Sequence, residues 1–243
     1  MEPPVSQREP MFNVPGSVVA LLGVLVCVQV LRSAMPVQWD AWVTLAMAFV
    51  PGRYDGYAAD IPGGTVACVT SFLTYAFVHG DWFHLIINSA WLLAFGGAVA
   101  ARLGTVRFLL FSALCAVAAA FAFLLMNPGL LAPMVGASGA VAGLMGGTMR
   151  FLFSAIDTQG LRGLREEPAL VPLMPLGQAL ADPRVLMVTG AFLVVNFLAV
   201  LGLGGVVAGG IAWEAHIGGY FAGLLSIGFF ERATRSIHQV GKL

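Results

Sequence analysis

Charge is what this sequence has least of. Only 10% of its 243 residues are Asp, Glu, Lys or Arg, while 59% are hydrophobic; an ordinary soluble domain carries about 25% charged residues. A water-soluble domain of this length needs a charged surface, and long stretches of this chain have none, so the bilayer is the expected solvent. The 12 cationic residues balance 12 anionic ones and no basic run occurs, so nucleic acid is excluded as an expected partner. Cysteine is scarce as well. Cys27 and Cys115 fall in apolar segments and Cys68 in a loop. With no CxxC or Cys/His spacing, free thiols are expected rather than a disulfide framework or a metal site, and no cofactor is expected. The opening MEPPVSQREPMFNVPG lacks the basic region, apolar core and small-residue cleavage site of a signal peptide and reads as a short polar cytoplasmic tail over residues 1–15. Internal repeats are also missing, which argues against an inverted-repeat transporter.

What the chain does have is long apolar runs. A helix crossing the hydrocarbon core needs about 20 mostly apolar residues, and six segments qualify: 16–34, 82–100, 105–126, 137–156, 185–205 and 212–230. The expected fold class is an all-α membrane protein, a six-transmembrane helical bundle over residues 16–231 with a C-terminal tail at 232–243. If the N-terminus is cytoplasmic, Arg8, Arg102, Arg107, Arg150, Arg162, Arg165, Arg184, Arg232, Arg235 and Lys242 all lie inside, and only Arg32 and Arg53 lie outside. The positive-inside rule then places both termini in the cytoplasm. Two connections are long. Residues 35–81 hold Trp39, Trp42, Phe49, Tyr54 and Tyr57, a mixture suited to the headgroup zone. Residues 157–184 hold Pro168, Pro172, Pro175 and Pro183 with several charges, which reads as an irregular linker.

Polar groups inside spans are costly and are therefore the candidates for function. Ser138 opens the fourth span in VGASGAVAGLMGG, His216 lies near the external start of the sixth in WEAHIGGYFAGLL, and His84 and Asn88 occupy the external third of the second in HGDWFHLIINSAW. The topology brings all four to similar depth. A serine hydroxyl becomes a nucleophile when a histidine within hydrogen-bond reach takes its proton. Gly139 with Gly143, and Gly219 with Gly223, give each of the two helices a GxxxG face that permits close backbone approach. The plainer alternative is a capping serine and a packing histidine. His84 and Asn88, four residues apart, share one helix face. They can serve either as donors to a developing oxyanion or as an interhelical polar clamp. His79, Asp81 and Trp82 read as interfacial residues, and His238 as part of the cytoplasmic tail.

These residues, in this order, resemble the rhomboid intramembrane serine proteases. The family's GxSG motif in the fourth span reads GASG here, with Ser138; its AHxxGxxxG motif in the sixth reads AHIGGYFAG, with His216; and its HxxxN pair in the second reads HLIIN, with His84 and Asn88. The stretch FGGAVAARLG is similar too, and the resemblance runs over roughly 75–230. It implies a serine nucleophile, a histidine base with no acidic third member, and an oxyanion hole formed by His84, Asn88 and the Ser138 backbone amide. It also implies substrates that are transmembrane proteins, cleaved near the external face after a small residue, and the six-span core of bacterial members in the inner membrane. The chain departs from the family in two places. Ala142 stands where many members have a tyrosine on which the catalytic imidazole stacks; Tyr220, one turn beyond His216, is the candidate replacement by spacing, and neighbouring side chains are expected to fill the tyrosine's space. The first loop lacks the family's tryptophan/arginine dipeptide, although Trp39, Trp42 and Arg53 are present. Glu214 lies on a different helix face from His216 and is expected to complement the positive end of the sixth helix. The alternative function is a rhomboid-like pseudoprotease that binds or chaperones membrane helices without cleaving them.

Overall fold

Proline and glycine punctuate the chain where its helices begin and end. The computed structural model describes residues 14–158, 160, 168–201 and 212–231. Pro15 precedes α1 (Gly16–Ser33) and Pro36 precedes α2 (Val37–Met47). A 3-10 turn (Pro51–Asp55) and α3 (Ala67–Thr74) follow, with α3 running on into a second 3-10 turn (Tyr75–Phe77). Asp81 caps α4 (Trp82–Trp91) by accepting the His84 N–H at 2.7 Å. A π-helical turn (Leu92–Gly96) joins α4 to α5 (Gly97–Leu103), so the second apolar segment is one continuous helical stretch. Gly104, at φ 76°, breaks it from α6 (Thr105–Met126). Then come α7 (Ser138–Thr158), the short α8 (Leu176–Ala179), α9 (Pro183–Val200) and α10 (Trp213–Ser226), which ends in a 3-10 turn (Ile227–Phe230). Asp182 caps α9, accepting the Arg184 N–H at 2.8 Å, with Pro183 in the first helical turn.

Among the described residues, four helical stretches are long and apolar enough to cross a membrane: Gly16–Ser33, Trp82–Leu103, Thr105–Met126 and Ser138–Thr158. Their burial differs, and that sets the layering. In α7, 78% of the span is buried against 22% in α1, so α7 is the central helix and α1 shows most of its surface outward. The N-terminal residues 1–13, residues 202–205 of the fifth expected span, and Arg8, Arg162, Arg165, Arg232, Arg235, His238 and Lys242 lie outside the described residues.

Both long connections are packed against the bundle where they are described. Arg53 is 2% exposed and donates to the carbonyls of Leu45 and Pro62, each at 2.7 Å, with longer contacts to Ile61 and Gly64. Arg32 pairs with Asp40 at 2.8 Å and donates to the His79 carbonyl at 2.6 Å, tying α1, α2 and the approach to α4 together. The two arginines that the charge pattern leaves outside are thus the internal ties of the first connection. Trp39, Trp42, Tyr54 and Tyr57 are exposed, as a headgroup-facing segment requires. Phe49 corrects the expectation drawn from its neighbours: it is fully buried, because its backbone pairs with Met134 in both directions, at 3.0 and 2.8 Å, and its ring packs on Phe72 and Tyr75.

The second connection, expected as a linker, is irregular but packed where it is described. Arg102 donates to the Pro168 and Val171 carbonyls while forming a bidentate pair with Glu231, and Arg150 donates to the Met174 and Leu224 carbonyls. Buried backbone carbonyls need donors, and arginines at this end of the bundle supply them.

Among the described glycines, those between α7 and α10 make the closest backbone approach. A Cβ at Gly219 would strike the Gly139 carbonyl, one at Gly223 the Gly143 carbonyl, and one at Gly146 the Tyr220 carbonyl. Gly146 joins the expected glycine face because it lies seven residues from Gly139, two helical turns along. Backbone cannot move aside as a side-chain tip can. Gly223→Val is therefore expected to destabilise the fold by more than the roughly 1–3 kcal/mol of ordinary overpacking. Gly190→Ala on α9, where a Cβ meets nothing within 4 Å, should leave stability unchanged or raise it by up to about 1 kcal/mol. Thermal unfolding of both variants in detergent checks the contrast.

Candidate active site

Close approach of α7 and α10 brings together one residue from the first turn of each. Ser138 is the first residue of α7, and its Oγ lies 2.8 Å from Nε2 of His216, in the first turn of α10. Both side chains are half-buried. That is the distance a hydroxyl needs in order to hand its proton to an imidazole.

The loop that delivers Ser138 is held at several points. The Met134–Phe49 backbone pair, the Gly52 N–H to the Leu130 carbonyl at 2.9 Å, and the Gly136 N–H to the Tyr75 carbonyl at 3.0 Å clip residues 130–136 to the first connection. The Tyr75 hydroxyl in turn donates to the Ala116 carbonyl of α6 at 2.9 Å. Gly136 has φ +113°, in the left-handed region that side chains avoid. A Cβ there would also lie 2.7 Å from Nε2 of His84 and 3.8 Å from Nδ2 of Asn88. Glycine at this position thus lets the chain pass beside the two α4 side chains on its way to Ser138.

His84 and Asn88 are accordingly brought to the site. Nδ1 of His84 faces the Gly80 N–H at 3.5 Å, which leaves the ring hydrogen on Nε2, the edge turned toward Gly136. Asn88 is buried and donates to the His84 carbonyl of its own helix at 3.0 Å. Among the described residues its side chain makes no bond to another helix, so the interhelical clamp has no partner and one amide hydrogen stays uncommitted.

His79 is not the interfacial residue its sequence position suggested. It is fully buried, its Nε2 accepts the Ala137 N–H at 3.3 Å, and its ring meets that of His84 edge to face with centroids 5.1 Å apart. The physical reason is that Arg32, by binding the His79 carbonyl, folds the segment inward. Burial, with the neighbouring His84 and Arg32 adding to it, pushes the His79 imidazole down to about 3, against a smaller opposing effect of Asp81. A neutral ring is what accepting from Ala137 demands.

Tyr220 does not contact His216 through its hydroxyl. It hydrogen-bonds Thr189 at 2.6 Å and stacks on Phe192 at 4.8 Å between centroids, joining α10 to α9. Tyr220, Phe192 and Ala142 belong to one apolar cluster, and Ala142 is buried within it. The second ring nitrogen of His216 instead meets Asn196 of α9, Nδ1 to Oδ1, at 2.8 Å. Asn196 was missed by the sequence reading, although an amide inside an apolar span is itself a signal. Glu214, buried in the first turn of α10, accepts from Asn127 at 3.1 Å and ties the end of α6 to that turn.

An apolar chain folded into several membrane-length helices around buried polar groups is an integral multi-pass membrane protein. A family model described as the rhomboid domain matches residues 67–232, more than half of the chain, and the chain belongs to the rhomboid family. That interval contains His84, Asn88, Ser138 and His216. Among curated proteins the chain has no match.

The proton balance of His79 has a measurable consequence. Below pH about 6.5 the unfolded chain takes up a proton that the folded one refuses, so the contribution of this residue is full above that pH and is lost as pH falls toward about 3. Unfolding measured at pH 7.5 and 4.5 should therefore show a larger acid loss in the wild type than in His79→Gln, whose amide oxygen can still accept from Ala137. Equal losses would mean that His79 titrates freely.

Proposed function

We propose that the protein is an intramembrane serine endopeptidase that cleaves transmembrane segments of other membrane proteins near the external face of a bacterial inner membrane. The observation that carries this reading is the 2.8 Å contact between Ser138 Oγ and His216 Nε2, supported by membership of the rhomboid family. In this reading Ser138 attacks the scissile carbonyl carbon while His216 takes the hydroxyl proton. The oxyanion that forms is met by the Nε2–H of His84, the free amide hydrogen of Asn88 and the backbone N–H of Ser138. His216 then gives its proton to the leaving amine as the C–N bond breaks. A water, deprotonated by the same imidazole, hydrolyses the acyl-enzyme and restores the serine. Gly139, Gly143, Gly219 and Gly223 contribute by letting the dyad's helices touch.

The bundle is proposed to have six spans, with the helical stretches Pro183–Val200 and Trp213–Phe230 as the fifth and sixth, and both termini in the cytoplasm. Residues 16–231 then form the membrane domain between tails at 1–15 and 232–243. Reporter fusions should place Gly160 inside and Gly63 outside, as the arginine distribution demands; an external signal from Gly160 would reverse the orientation.

A serine-directed fluorophosphonate probe tests the chemistry directly. Labelling is expected in the wild type and absent in Ser138→Ala. Cleavage of a single-span substrate should fall on the order of 10⁴-fold or more in Ser138→Ala and in His216→Ala, because nucleophile and base act as one unit. His84→Ala and Asn88→Ala should each lower kcat by about 10²–10³-fold, the worth of one oxyanion donor. A folded wild type that neither labels nor cleaves would instead describe a protein that binds membrane helices without cutting them.

A further inference from the structure

Asn196 sits on α9, 6% exposed, among apolar neighbours. A buried amide at this depth is costly unless both of its ends are satisfied, and both are. Its Nδ2 lies 2.8 Å from the Phe192 carbonyl of the preceding turn. A carbonyl can only accept, so the NH2 end of the amide must face it and Oδ1 must be the end turned to His216. Oδ1 can also only accept. The hydrogen of the neutral imidazole therefore belongs on Nδ1, and Nε2 presents its lone pair to the Ser138 hydroxyl 2.8 Å away. The Phe192 carbonyl, the Asn196 amide, the His216 ring and the Ser138 hydroxyl form one directed chain of hydrogen bonds in which only one tautomer fits.

We propose that Asn196 is a positioning residue for His216: it selects the Nδ1–H tautomer and the ring orientation that make Nε2 a base toward Ser138. The proposal rests on the protease reading for its kinetic consequence, but not for its tautomer. No charge is needed in this third member, because a neutral acceptor suffices to orient the ring, at the cost of stabilising the imidazolium less than a carboxylate would. Ala142 leaves His216 without a stacking partner from α7; Asn196 restrains the ring from α9 instead.

Two measurements test this. In the folded wild type labelled with 15N-histidine and studied in detergent at neutral pH, the resonances lost in His216→Ala should report an Nδ1–H imidazole. An Nε2–H tautomer would overturn the proposal whether or not the protein cleaves anything. Kinetically, Asn196→Leu should lower kcat by about 10- to 100-fold, part of what a general base contributes, with KM nearly unchanged. Asn196→Asp should recover most of that loss and move the acid limb of the kcat/KM profile to higher pH, since a carboxylate stabilises the imidazolium. A structural role would leave the limb where it is. A folded Asn196→Leu with wild-type kcat, or an Asp variant with an unmoved limb, would overturn the assignment; if the Leu variant fails to fold, the wild-type tautomer and the Asp variant decide. A wild type that shows the Nδ1–H tautomer but takes no fluorophosphonate at Ser138 would separate failure of the protease reading from failure of this one.

Discussion

Where α7 meets α10 most closely the contacts are made by glycine: Gly139 lies under Gly219, Gly143 under Gly223, and Gly146 under the Tyr220 carbonyl. In a bilayer the hydrophobic effect does not press helices together, because lipid tails are as apolar as leucine, and close packing has to supply the attraction. Backbone contact maximises that packing and also sets a distance. Two helices separated by ordinary side chains would hold Ser138 and His216 too far apart to share a proton. The 2.8 Å contact between them is thus a consequence of glycines on both helices, and the other parts of the site are arranged around it.

The second demand is polar. A chain with few charges places several of them inside, where each arginine satisfies carbonyls that no helix could. Arg53 gathers the carbonyls of the first connection, Arg32 turns His79 inward, and Arg102 and Arg150 hold the described part of the second connection against the bundle. Two of these ties lead to Ser138. The first connection carries Phe49, which pairs with Met134 in the loop before Ser138, and His79 accepts from Ala137, the residue just before it. The serine is held by a folded platform made of segments that look, by composition, like a membrane-surface loop.

His216 is held from α9, through Asn196, rather than from α7. The same helix meets α10 through the Thr189–Tyr220 hydrogen bond and the Phe192–Tyr220 stack. Phe192 takes part twice, giving its ring to Tyr220 and its carbonyl to Asn196. Orientation of the imidazole is therefore coupled to how α9 seats on α10, and a change in that seating would be felt at the ring.

Much of this could be read from the residues alone. Long apolar runs announced the membrane helices, because a bilayer-spanning segment must be apolar along its whole length. GASG, AHIGGYFAG and HLIIN announced Ser138, His216, His84 and Asn88, because glycine spacing and polar residues at one depth are local patterns. His79, Phe49, Asn196 and the partners of Tyr220 were not legible in the same way. Each takes its role from a neighbour far along the chain: Ala137 and Arg32 for His79, Met134 for Phe49, His216 for Asn196, Thr189 for Tyr220. Sequence by itself determined which segments are long and apolar enough for a bilayer and where polar side chains fall within them, since both are properties of composition and short spacing. Which nitrogen of His216 faces the serine, and what holds it there, only the tertiary structure decided, because a hydrogen bond between α9 and α10 depends on how two helices are turned toward each other, and no spacing within one helix records that.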